Sequence, residues 1–157
     1  MKKLMFLAAL YCLHLSLYAG SNVSPGVMNM TPINATDRAK AHFYANYSSA
    51  QDATWYNLPD RNMYCVFHQG KVVNRVFYDS HGYWQYTLLG YPPSGLVKNV
   101  KDLVTDYFDG YRITYVNEIR SDKDEPVYVI NIENEDHIKV IKVTGDEIEQ
   151  QQALKKE

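Results

Sequence analysis

Val76-Phe77-Tyr78-Asp79-Ser80-His81-Gly82-Tyr83-Trp84 sets two apolar, strand-like runs on either side of a turn signal, Asp79-Ser80-His81-Gly82. Moving towards the N-terminus, Gln69-Gly70 and Pro59-Asp60 mark two further turns, and the runs between them are dense in Trp, Tyr, Val and Phe. Four strands therefore fit between Ala53 and Leu89. Ahead of them, Thr36 is placed to cap a helix through Asp37, Ala39, Phe43 and Tyr47, with Asp37 suited to the positive end of the helix dipole.

Beyond Tyr91-Pro92-Pro93, Ser94 is the expected cap of a second helix. Its residues Leu96, Val100, Leu103, Val104 and Tyr107 recur at the spacing of one buried face. Asp109-Gly110 closes it, the glycine suiting a left-handed cap. Strand-like runs follow at Tyr111 to Arg120, Val127 to Glu133 and Ile138 to Val143, with a short final piece around Ile148. A helix and four strands thus occur twice. Tyr47 and Trp55 match Tyr107 and Tyr115 at an offset of 60, and Tyr64, Val66, Val76 and Trp84 match Tyr128, Ile130, Val140 and Ile148 at an offset of 64. The expected fold is α+β: two tandem helix-plus-four-stranded antiparallel repeats, about 36–91 and 94–152, within a single domain over 36–157, both helices on one face of the sheet.

The N-terminus reads as an export signal. Lys2 and Lys3 precede an apolar run from Leu4 to Leu17, and Ala19 supplies a small residue at the cleavage point. The run is shorter than the ~20 apolar residues a membrane span needs, so residues 1–19 are expected to be removed and no span to remain. Residues 20–35, rich in Ser, Asn, Pro and Gly, read as a flexible leader. Without Lys2 and Lys3 the basic count falls from 16 to 14 against 18 acidic residues, a formal charge of −4. That balance argues against a nucleic-acid partner, whose phosphates demand a basic patch. Cys12 leaves with the signal, so Cys65 has no disulfide partner; its setting, Met63-Tyr64-Cys65-Val66-Phe67, is that of a buried, inert thiol.

Trp55, Tyr64-Cys65-Val66-Phe67, the Tyr78-Asp79-x-x-Gly82-x-Trp84 hairpin, Pro92 and the helix into Tyr107-Phe108-Asp109-Gly110-Tyr111 together resemble the β-lactamase-inhibitor-like, PepSY-like family of small exported bacterial proteins. The resemblance covers about residues 36–150. It departs from the family at Ser80-His81 and in the second half, where Val143-Thr144-Gly145-Asp146-Glu147-Ile148 has its glycine one position out of register. The resemblance implies helices over one sheet face and an open second face which, in the namesake inhibitors, grips an enzyme together with its turns. The inhibitory loops of those proteins have no counterpart here, so no inhibitory residue carries over.

Catalytic and metal chemistry find little to work with. His42, His68, His81 and His137 are scattered, with no His-Glu-x-x-His or Cys-x-x-Cys element, so no metal or cofactor is expected. Asp79-Ser80-His81 has the letters of a hydrolase triad, but neighbours on a tight turn cannot stack base behind nucleophile. The acidic runs Asp122-Lys123-Asp124-Glu125 and Glu133-Asn134-Glu135-Asp136 lack the spacing of a calcium loop and read as solvated turns. Tyrosine is the unusual feature: 14 in the chain, two of them in the signal. Tyr and Trp concentrate in binding hot spots because they bury large rigid areas and keep a polar handle.

Strand alternation separates Trp55, Tyr64, Val66, Val76, Tyr78, Trp84 and Tyr86 from Tyr56, Cys65, Phe67, Val73, Arg75, Phe77, Tyr83 and Gln85. The first set, echoed by Tyr115, Ile130, Val140 and Ile148, is the expected core. The second makes Tyr56, Phe67, Arg75, Phe77 and Tyr83 the expected partner-binding face. The expectation is a non-catalytic, periplasmic or secreted module that binds a protein, an inhibitor of a hydrolase or peptidase being one form of it. The alternative is a small-ligand carrier or sensor in the cell envelope.

Overall fold

A computed structural model of the chain describes residues 33–58 and 60–157. The expected signal peptide and the leader through residue 32 lie outside the described residues. Among those described, no helix is long and apolar enough to cross a membrane.

Helix α1, Asp37–Asn46, begins where its cap dictates: Thr36 is extended and its hydroxyl accepts the Ala39 N–H at 3.3 Å. Ala39 and Phe43, one turn apart, have no exposed surface. Helix α2, Lys98–Tyr107, starts later than expected, with Val97 rather than Ser94 at its cap position. Pro93–Gly95 forms a 3-10 turn instead, and the chain stays extended at Leu96, which drops into the core at 8% exposure. Tyr107, counted on the buried face by its spacing, is 69% exposed, because Val100 and Val104 already fill the helix's contact with the sheet.

The strands are β1 Gln51–Asn57, β2 Met63–Gln69, β3 Val72–Tyr78, β4 Trp84–Tyr91, β5 Arg112–Arg120, β6 Val127–Glu133, β7 His137–Thr144 and β8 Glu147–Lys155. They pair antiparallel in chain order in one eight-stranded sheet. Strand β8 runs nine residues, far beyond the short piece foreseen. Ile148 alone of its side chains reaches the core, and the rest are held by the β7 ladder and by charge, as suits an edge strand.

Register fixes which way each side chain faces. Trp55, Cys65, Val76 and Thr87 form one cross-strand row; Tyr91, four residues beyond Thr87, begins another that runs through Val116, Ile130 and Ile141. Both rows point to the same face, and both helices lie on it. Phe43 of α1 meets Trp55 at 5.5 Å and Phe67 at 5.3 Å between ring centroids, edge-on in each case. Val100 and Val104 of α2 pack with Val116, Ile130, Ile141 and Val143. Each such side chain, fully buried, contributes about 1.5–3 kcal/mol.

A polar seam on the helix side separates the two clusters. Thr87 takes hydrogen bonds with Tyr47 Oη at 3.0 Å and Trp84 Nε1 at 3.1 Å. Glu118, 4% exposed, accepts from Tyr91 Oη at 2.6 Å and Arg120 Nε at 2.5 Å. Ahead of α1, Ile33 donates its N–H to the Trp55 carbonyl at 3.0 Å and packs on the first cluster, where Ala35 is 5% exposed.

Candidate partner-binding face

The Asp79–Gly82 turn carries the most distinctive part of the sequence, and its bonds are structural. Asp79 Oδ1 accepts the backbone N–H groups of His81 and Tyr83, each at 2.9 Å. Gly82 has φ +84°, and a Cβ there would stand 2.3 Å from Thr36 Oγ1, inside the α1 cap. Trp84 then stacks on His42 of α1 with centroids 5.8 Å apart. The hairpin is thus a cradle for the start of α1.

Among the described residues, the opposite face carries no helix. On it, Tyr56, Tyr64, Phe77 and Tyr86 occupy one cross-strand row through β1, β2, β3 and β4. Their rings stack in sequence: Tyr56 on Tyr64 at 5.3 Å, Tyr64 on Phe77 at 5.3 Å, Phe77 on Tyr86 at 4.4 Å, with interplanar angles of 27°, 15° and 18°. Those spacings match the ~4.8 Å between neighbouring strands, so the ring planes stand upright on the sheet and turn their edges outward. Stacked in this way the rings cover one another's faces along the row and turn outward their C–H edges, which carry the positive end of the ring quadrupole. Such a row suits polypeptide carbonyls and side chains better than a flat base or sugar, which would need a free ring face.

Beside this ladder a second row runs Val66, Arg75, Leu88 and Ile119, and a third runs Val73, Gly90, Asn117 and Val129. Tyr115 folds over Gly90 so closely that a Cβ there would stand 2.4 Å from its hydroxyl. The ladder does not extend into the second half, where the face carries Asn117, Val129, Lys142 and Glu149.

Of the five residues expected on this face, Tyr56, Arg75 and Phe77 lie on it and Phe67 and Tyr83 do not. Phe67 is fully buried beneath α1. Tyr83 sits at the turn, where its ring receives Arg38 of α1 at 4.2 Å, on the helix side. Conversely, Tyr64, Val66 and Tyr86, expected in the core, belong to the helix-free face, as do Tyr115 and Val140. Two causes account for this. Strand β2 was tied to β1 with the wrong parity: Trp55 pairs with Cys65, not with Tyr64 or Val66. A bulge at the start of β4 then lets Trp84 and Tyr86 face opposite sides. Cys65 held the missing signal: a buried thiol under α1, which its composition suggests, forces Tyr64 and Val66 outward.

Cys65 itself has no exposed surface, and burial pushes its thiol up to about 12. Its contacts are those of the core beneath α1.

No protein-family model and no curated protein matches the chain. Solved structures do match in fold. A DUF2874 family protein from Bacteroides ovatus ATCC 8483 superposes with a TM-score of 0.64 at 14% identity, over 78% of this chain and 89% of that one. A BLIP-like protein from Bacteroides fragilis NCTC 9343 gives 0.63 at 10% identity, over 78% and 87%. A protein from Bacteroides eggerthii DSM 20697, provisionally named as periplasmic, gives 0.62 at 13% identity, over 78% and 90%. The expected likeness to β-lactamase-inhibitor-like proteins therefore holds for the fold: an α+β architecture that has, among the described residues, an eight-stranded antiparallel sheet and two α-helices.

Proposed function

We propose that this chain is an exported, non-catalytic module that binds a protein partner on the helix-free face of its sheet. The observation that carries this reading is the upright ladder Tyr56–Tyr64–Phe77–Tyr86. Among the described residues no helix lies over this row, and side-by-side aromatic side chains on such a face are the kind that concentrate in protein-binding surfaces. Export is supported by the signal-like N-terminus and by the provisional periplasmic naming of one structural neighbour. The BLIP-like name of another makes an enzyme inhibitor one form the module could take. A hydrolase or peptidase is then the partner class to try first.

The two halves are, on this proposal, copies of one unit, at offsets one residue longer than the sequence alone suggested. Phe43 and Trp55 correspond to Val104 and Val116, 61 positions on; Cys65, Phe67, Val76 and Tyr78 correspond to Ile130, Ile132, Ile141 and Val143, 65 positions on. A strand irregularity between Gln51 and Thr54 is matched by one between Ile113 and Tyr115. On this alignment Tyr56, Tyr64 and Phe77 correspond to Asn117, Val129 and Lys142, so the first copy carries the binding surface. A small ligand held between the halves would have to displace partners, since Thr87 and Glu118 in the seam are already hydrogen-bonded.

The test is affinity capture from envelope and medium extracts with the C-terminally tagged protein, beside a folded Tyr56→Thr/Tyr86→Thr control. Threonine keeps strand propensity while removing the rings. A protein held by the native chain and lost by the control supports the reading. Capture that is indifferent to the substitutions, or no capture with repeated extracts, counts against it, and thermal-shift screening of small ligands then tests the carrier alternative.

A further inference from the structure

Arg75 lies near the middle of β3 on the helix-free face, in the row next to the aromatic ladder, with Val66 directly across on β2 and Leu88 on β4. Neither neighbour offers an acceptor. Among the described residues the Arg75 guanidinium has no hydrogen-bond or carboxylate partner, whereas the other arginines on the sheet are paired, Arg112 with Glu133 and Arg120 with Glu118. Lys142, on the same face in the second half, stands 3.8 Å from Glu149. Arg75 is half-buried. A planar guanidinium set between the apolar side chains of Val66 and Leu88 costs free energy until an anion meets it.

We propose that Arg75 anchors an aspartate or glutamate side chain of the protein partner, taking its carboxylate in a bidentate pair while the partner's chain lies along the ring edges of the ladder. This deepens the proposed function and rests on the helix-free face being the binding face. Geometry supports the pairing. The fork of the guanidinium matches a carboxylate in a way a lysine would not, and the flanking Val66 and Leu88 exclude water once a partner covers them. The chain as a whole is acidic, at a formal −2. Long-range attraction therefore does not draw in an acidic partner, and recognition falls to this one local cation.

The experiment is selection of random twelve-residue peptides displayed on phage against the purified protein, with amidated synthetic copies of the winners measured by calorimetry. The expected winners are rich in Asp or Glu. Their affinity falls about tenfold or more in Arg75→Gln and Arg75→Met, falls less in Arg75→Lys, and falls likewise when their acid is changed to its amide. Arg75→Met keeps or raises the thermal midpoint, since it removes an uncompensated charge and keeps the stem. Winners that need Tyr56 and Tyr86 but carry no acid, or that bind Arg75→Gln unchanged, sink the role of Arg75 and leave the face reading standing. Winners indifferent to the ladder as well, or no winners, sink both. Acetate or N-acetyl-aspartate binding as tightly as the peptides would make this a small-carboxylate site and overturn the protein-segment version. A lowered midpoint in Arg75→Met would make the residue structural.

Discussion

Phe67 meets Phe43 edge-on, ring centroids 5.3 Å apart, and neither residue has any exposed surface. That contact joins β2 to α1 and decides which side of β2 is core. Truncation there leaves a cavity the surrounding rings cannot close. Phe67→Ala is expected to cost about 3–5 kcal/mol in urea unfolding. Tyr83→Ala, which loses only the exposed stack with Arg38, should cost about 0.5–1 kcal/mol. Similar costs for the two would contradict the assignment of faces.

The polar seam between the two clusters gives a second prediction. Tyr91 donates to the Glu118 carboxylate at 2.6 Å, and burial together with that hydrogen bond holds the Tyr91 phenol well above its ordinary range. Tyr91→Phe leaves Glu118 with Arg120 alone and should lower stability by about 1.5–3 kcal/mol, the range for a hydrogen bond to a charged group. Ultraviolet titration of the native protein should show no ionisation of Tyr91 before the fold itself opens.

His42 gives a pH dependence whose sign is fixed by its surroundings. Burial lowers its pKa from 6.5, opposed by Asp122, and its ring stacks on Trp84 while Nδ1 bonds the Tyr78 hydroxyl at 3.0 Å. The fold therefore favours neutral imidazole. Its contribution is complete above the unfolded value and declines as pH falls below 6.5 towards the lower folded value. Unfolding free energies measured above and below that window should differ more in the native chain than in His42→Gln. An equal difference would show that other groups carry the dependence.

Cys65 offers a reporter of core opening. With its thiol pushed up to about 12 and no exposed surface, it should resist alkylation at neutral pH in the native state. Peptide-mapped labelling of Cys65 should then rise along the same urea transition that tryptophan fluorescence follows. Labelling of the native protein would place β2 the other way round.

What the sequence made legible was local. Thr36 announced α1, the spacing of Val100 and Val104 gave the buried face of α2, and the turn residues separated the strands in the right order. The faces were harder, because a strand's parity depends on its register with the next strand, and the bulge at the start of β4 reverses it within Trp84-Gln85-Tyr86. Strand β8 was under-read for a different reason: an edge strand held by backbone pairing and charge has no apolar alternation to detect. Of the expected site, Tyr56, Arg75 and Phe77 share a face, and Tyr64 and Tyr86 complete the ladder only once the register is known.

The central claim is that a protein partner sits on the helix-free face, and substitutions on the two sides of the sheet test it most directly. Once a partner is in hand, calorimetric affinities should be compared for Tyr64→Thr and Tyr86→Thr on the ladder and for Tyr44→Thr and Tyr107→Thr, which are 63% and 69% exposed in the wild-type chain and belong to α1 and α2. The account predicts that the ladder substitutions weaken binding by about 1–2 kcal/mol or more each and that the helix substitutions leave it unchanged. Loss confined to Tyr44→Thr and Tyr107→Thr would place the partner on the helices and contradict the account.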